Sequence, residues 1–107
     1  MTMQQAISVG EAVLLHEFRD ALMATDGRAY VVRVFGQPRA DGTWVGWLTF
    51  VDPERGTVRR TPRETTQSNR EQAAYWATGL GQSYLEGAFR RATWRGALGG
   101  MPSCRLA

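Results

Sequence analysis

The stretch AYVVRVFGQPRADGTWVGWLTFVDPERGTVRRT, residues 29–61, decides the fold. Within it Tyr30, Val32 and Val34 alternate with Val31, Arg33 and Phe35. A period of two in β-branched and aromatic residues belongs to a strand. Gly36 and Pro38 end the run, and Ala40-Asp41-Gly42 supplies a turn. Trp44 to Val51 repeats the composition. Asp52-Pro53-Glu54-Arg55-Gly56 is then a tight turn, with Pro presetting φ and Gly taking the left-handed position. Thr57 to Thr61 makes a short third strand, halted by Pro62. Three sequential strands joined by short turns predict an antiparallel meander.

Both flanks read as helical. Ser8-Val9-Gly10-Glu11 matches a capping box, and beyond it Leu14, Phe18, Ala21 and Leu22 fall on one helical stripe. With Asp26-Gly27 as the stop, a helix is expected over about residues 9–24, although Val13-Leu14-Leu15 also suits a strand. Downstream, Ser68-Asn69-Arg70-Glu71 is a second capping box ahead of Ala73, Trp76, Ala77 and Leu80 at helical spacing. Gly79 and Gly81 interrupt that helix. Ser83-Tyr84-Leu85-Glu86 then starts another, over about residues 84–94. The expected fold class is α+β: a three-stranded antiparallel meander with an N-terminal helix and two C-terminal helices, in the order α-β-β-β-α-α. Its core should join Val32, Val34, Trp44, Leu48 and Phe50 to Leu14, Phe18, Leu22, Trp76 and Leu80. Residues 1–95 form the single domain of this reading, and residues 96–107, Gly-rich with Pro102, its flexible C-terminal tail.

Composition narrows the class of protein. A chain of 107 residues with eleven aromatic side chains can bury one core and is not a disordered polymer. No apolar run approaches the ~20 residues of a membrane span. Ala12 to Leu15 is too short for a signal-peptide core, and no basic residue precedes it. Cys104 is the single cysteine and His16 the single histidine, too few for the three or four N/S ligands of a zinc site. These features predict a cytoplasmic protein without metal or cofactor.

Charge is where the sequence becomes specific. Lysine is absent, and every positive side chain is an arginine. Residues 1–54 carry four Arg against seven Asp and Glu, whereas residues 55–107 carry nine Arg against three Glu. Arg55, Arg59, Arg60, Arg63 and Arg70 crowd one short stretch leading from the sheet into a helix. A guanidinium forks onto phosphate or carboxylate with two parallel bonds, which an ammonium cannot do. A GC-rich coding bias would also replace Lys by Arg. The hydroxyls of Thr65, Thr66 and Ser68, with the free N–H groups of a helix start, add donors beside the arginines. Glu64 and Glu71 stand close enough in sequence to neutralise them.

The meander also sorts residues by face. With Tyr30, Val32 and Val34 turned toward the helices, Trp44, Leu48, Phe50 and Val58 are expected to join them. Val31, Arg33, Phe35, Val45, Trp47, Thr49, Val51, Thr57, Arg59 and Thr61 would then form an outer face too apolar to stay bare. The first helix, a second copy of the chain, or bases stacked between arginines would each cover it. For catalysis, Asp52, Glu54, Glu64 and Glu71 are the available acids and bases, and each has an ordinary role in a turn, cap or ion pair.

Two strings, Thr61-Pro62-Arg63-Glu64-Thr65-Thr66-Gln67 and Tyr75-Trp76-Ala77-Thr78-Gly79-Leu80 followed by Tyr84-Leu85-Glu86-Gly87-Ala88, resemble those of short uncharacterised proteins of GC-rich bacteria. The resemblance spans about residues 29–92 and implies a compact bacterial protein, with no activity attached. The element order is similar in topology alone to that of double-stranded RNA-binding domains; Asn69-Arg70-Glu71-Gln72 stands where that family carries lysines. The reading is therefore of a non-catalytic binding protein whose ligand is a polyanion, nucleic acid first. The contacts would be Arg59, Arg60, Arg63 and Arg70, with Arg33 and Trp47 on the sheet face. The alternative is a protein-interaction module, a homodimer or antitoxin-like regulator, using the same face.

Overall fold

In a computed structural model of the protein, residues 9–97 are described. They form β1 (Val13–Glu17), β2 (Leu22–Met23), β3 (Ala29–Pro38), β4 (Trp44–Asp52), β5 (Thr57–Arg60), β6 (Thr65–Gln67), α1 (Arg70–Thr78), α2 (Gln82–Arg91) and β7 (Thr93–Ala97). The fold is α+β, and all strand pairings are antiparallel. The sheet runs β1-β3-β4-β5-β7, with short β2 on β3 and β6 on β4. Two C-terminal helices pack on one face. The expected meander survives as β3-β4-β5, but it is the middle of a larger sheet.

The expected N-terminal helix is not formed: its residues make β1, a turn and β2. Two physical causes override the helical stripe. Gly10 sits at φ 84, a left-handed geometry that the first turn of a helix cannot hold. The edge of β3 opposite β4 also needs a hydrogen-bonding partner, and β1 supplies it from Val13↔Gly36 to Glu17↔Arg33. An irregularity between Leu14 and His16 breaks strict alternation. Leu15 packs against the core, while Leu14, expected inside, is 48% exposed. Leu22 still reaches the core, and Phe18 packs against it from the side.

β3 and β4 place Tyr30, Val32, Val34, Leu48 and Phe50 together under the helices, all essentially without solvent contact. Ala77 of α1 and Leu85 and Ala88 of α2 close over them. The alanines among them let the helices approach the sheet. Phe89 meets Phe50 edge to face at 5.3 Å and lies 4.8 Å from the Tyr30 ring. Trp44, expected in the core, is only half-buried.

Gly36 and Gly46 are direct cross-strand partners on this face. A Cβ on Gly36 would come within 2.7 Å of Leu15, and one on Gly46 within 3.0 Å of Thr65 and 3.1 Å of the Trp76 ring. The paired glycines make the notch that Leu15 and Trp76 occupy.

The helix boundary falls where the glycines place it, between Thr78 and Gln82, by a different device from the one expected. Gly79 has φ −94 rather than a left-handed angle, and Gly81 rather than Ser83 precedes the second helix as its cap. At the first helix Asn69, one residue beyond the expected Ser68, accepts from the Gln72 N–H at 2.8 Å. The second helix stops at Arg91, and β7 then runs from Thr93 to Ala97, across the boundary drawn at residue 95. The tail expectation for residues 98–107 lies outside the described residues.

The β5 phase is reversed from the expected one. Asp52 and Thr57 are paired across a four-residue turn, so even positions of β4 oppose odd positions of β5. Arg59 therefore stands behind Phe50 on the helix face, and Val58 and Arg60 on the outer face.

Two substitutions test this packing by chemical denaturation. Phe50→Ala should cost about 3–5 kcal/mol, as expected for a wholly buried ring. Gly46→Ala should cost about 1–3 kcal/mol, because neither the Trp76 ring nor a β-branched threonine yields easily.

Candidate functional site

One edge of β4 is served by two strands that do not meet. β5 pairs with Thr49–Asp52 and β6 with Trp44–Gly46. Between them Thr61 fills the gap. Its N–H donates to the Leu48 carbonyl at 3.0 Å, and its hydroxyl accepts from the Leu48 N–H at 3.0 Å. Thr61 is fully buried. Glu64 rejoins the ladder through its N–H to the Gly46 carbonyl at 2.8 Å. The segment Arg60–Glu64 is thus pinned at both ends, with exposed Pro62 and Arg63 between the pins. Proline suits this arch because its nitrogen has no hydrogen to satisfy.

Glu64 does not neutralise the nearby arginines. Its side chain is only 5% exposed and turns toward α2. There it accepts from the Tyr84 hydroxyl at 2.5 Å and from Arg91 through Nε at 3.1 Å and Nη2 at 2.7 Å. Burial pushes the Glu64 pKa up, but the bonds from Arg91 and Tyr84 outweigh it and hold it below the usual range. Tyr84 is pushed up to about 12 by burial and by its bond to that carboxylate. Arg91 is raised, first by the Glu64 bond.

On the outer face two aromatic rings and a guanidinium form a row across three strands. Phe35 and Trp47 are direct partners whose rings stack at 6.3 Å and 18°. The Arg60 guanidinium lies 4.2 Å from the centre of the Trp47 ring, a diagonal cross-strand contact. Trp47 is 6% exposed, whereas Arg60 is exposed. Beside them Thr49, Val58, Arg60, Thr61 and Pro62 line an open cleft of about 330 Å³.

The structure divides the six residues singled out from the sequence. Arg60 and Trp47 are together, with Arg63 on the pinned arch. Arg33, on the same face, bonds Glu17 at 2.8 Å. Arg59 is on the other face, 4.9 Å from the Phe89 ring centre and 6.0 Å from that of Tyr30. Arg70 opens α1 and lies 5.9 Å from the Trp44 ring. The partners that sequence reasoning missed are Thr61, read as the end of a strand, and the Tyr84–Arg91 pair. The one local signal for Thr61 was Pro62, which had to leave the ladder. Asp52, a candidate acid, is buried and accepts from the Glu54 and Arg55 N–H groups in its own turn.

The Glu64 cluster sets a pH dependence with a definite sign. Folding raises the Tyr84 pKa from about 10 to about 12. The stability Tyr84 contributes is therefore fully present below about pH 10 and lost as pH rises through about 12. Tyr84→Phe should flatten this alkaline limb in thermal unfolding. A remainder should come from Tyr30, which is also raised, by burial and then by its bond to Asp26.

No family model matches the chain, and neither the curated proteins nor the solved structures offer a match.

Proposed function

We propose that the protein is a non-catalytic binding protein for a polyanion, nucleic acid first, contacted through Arg60 and Arg63 with Arg70 as a further cation. The observation that carries this reading is the inward turn of Glu64. The carboxylate next to Arg63 is committed to Arg91 and Tyr84, so the arch presents positive charge without its nearest counter-charge. The backbone bonds of Thr61 and Glu64 fix the arch before any ligand arrives. Preorganised donors lose less entropy on binding than a floppy basic tail. Guanidinium groups also suit phosphate oxygens by geometry.

A second reading rests on a different observation. Exposed Leu14 is the direct partner of half-buried Phe35 at the β1 edge of the outer face, which favours an apolar contact with another protein or a second copy. Salt separates the two, because counterion release weakens nucleic-acid binding steeply as salt rises and leaves an apolar contact largely unchanged.

The test is a titration with single- and double-stranded DNA and RNA at several salt concentrations. Arg63→Ala should weaken binding and lower the salt slope by about one unit. Joint replacement of Arg60 and Arg63 should lower it by about two, with a stability loss of up to about 1 kcal/mol from uncovering Trp47. No binding to any of these at low salt would remove the polyanion reading.

A further inference from the structure

The Arg60 guanidinium is more than a charge. It lies over Trp47 at 4.2 Å, and Trp47 is backed by the stacked ring of Phe35. Three planar groups thus follow one another across β3, β4 and β5, and the outermost is exposed. Trp47 itself, 6% exposed, has no room for a base. A guanidinium lying over the indole puts a planar, exposed cation in its place. Unpaired bases stack on arginine planes as well as on aromatic rings.

The cleft beside Arg60 has the features of a base-sized recess: Val58 and Pro62 as apolar walls, the Thr49 side chain as a polar group, and about 330 Å³ of volume. Arg63 follows Pro62 on the arch, next to that wall.

We infer that Arg60 on Trp47 is a stacking shelf for an unpaired nucleobase, and that the polyanion bound here is a single strand rather than a duplex. The inference rests on the polyanion reading above and adds the ligand class to it. In a duplex the bases are stacked on one another inside the helix, so their faces cannot reach Arg60. In a single strand a base can turn onto the shelf while its phosphate meets Arg63.

The experiment uses the full chain and three probes: an oligothymidylate of about ten nucleotides, a strand of equal length with every base removed, and a duplex of that length. The oligothymidylate should bind about tenfold more tightly than the abasic strand, which carries the same phosphates. The duplex, whose base faces cannot reach residue 60, should bind Arg60→Lys as tightly as it binds the unaltered protein. Arg60→Lys keeps the charge and loses the plane; it should erase most of the tenfold difference and leave the salt slope unchanged. Circular dichroism confirms that the variant is folded, and the comparison on the unaltered protein decides without it.

Equal binding of oligothymidylate and abasic strand would overturn the shelf and leave the phosphate contacts standing. A tenfold preference that survives in Arg60→Lys would place the base elsewhere and overturn the assignment to Arg60. Failure of every probe to bind at low salt would remove the polyanion reading itself.

Discussion

Halfway along β4 the peptide groups of Leu48 face an edge that neither β5 nor β6 reaches. Leu48 is completely buried, and an unmet N–H or C=O there would cost about 1–3 kcal/mol each. Thr61 meets both, one through its backbone and one through its hydroxyl. A single residue thus takes the place of a strand segment and keeps the whole passage from β5 to β6 on one edge. The residues around it follow from that anchorage. Arg60 remains in register with Thr49 and falls across Trp47. Pro62 and Arg63 arch away, and Glu64 returns to bond Gly46. The position of both arginines relative to the sheet depends on this exchange with Leu48.

The second anchorage is electrostatic and ties the arch to the helices. Glu64 reaches Tyr84 and Arg91, which lie 20 and 27 residues further along the chain. A buried carboxylate is tolerated only when its oxygens are hydrogen-bonded and its charge is countered, and here the bidentate guanidinium and the phenol do both. Acid should weaken this site as alkali does, through the carboxylate instead of the phenol. Because the Glu64 pKa is depressed on folding, its stabilising contribution is present above the ordinary glutamate value and lost as pH falls through the lowered one. The same inward turn that secures the arch also takes a negative charge off its outer surface.

What the sequence made legible was the part of the fold governed by neighbours in the chain. Alternation in Tyr30–Phe35 and Trp44–Val51, the Asp52–Gly56 turn with Gly56 at φ 70, and the glycine break after Thr78 are all local. The N-terminal strands were not legible, because Leu14, Phe18 and Leu22 fit a helical stripe as well as a strand-turn-strand. The deciding influence, the open edge of β3, lies well downstream in sequence. Thr65–Gln67 is polar throughout and carries no periodicity, and Thr93–Ala97 straddles the end of the expected helix and the start of the expected tail. The phase of β5 hinged on the number of turn residues, where a change of one exchanges Arg59 and Arg60 between faces. At the candidate site the meeting of an arginine with Trp47 was readable from alternation. Which arginine meets it, and where Glu64 turns, required the pairing register and the packing of α2.

The all-arginine composition acquires a physical meaning once the rings are placed. Arg59 lies against Phe89 and Tyr30, Arg60 against Trp47, Arg70 against Trp44 and Arg91 against Tyr84. A planar, weakly hydrated guanidinium can lie on an aromatic face while keeping its edge in water, which a compact ammonium does poorly. Coding bias alone would supply the arginines but would not bring four of them onto rings. Of the five arginines crowded between residues 55 and 70, three are thus engaged with aromatic side chains and Arg55 sits 3.7 Å from Asp52 in the turn. That leaves Arg63, which among the described residues has neither a ring nor a carboxylate to answer it. Within residues 55–70 the arginines therefore resolve into four engaged with a ring or a carboxylate and one, Arg63, that is exposed without either among the described residues. That cation is held on an arch whose backbone is already paid for by the sheet.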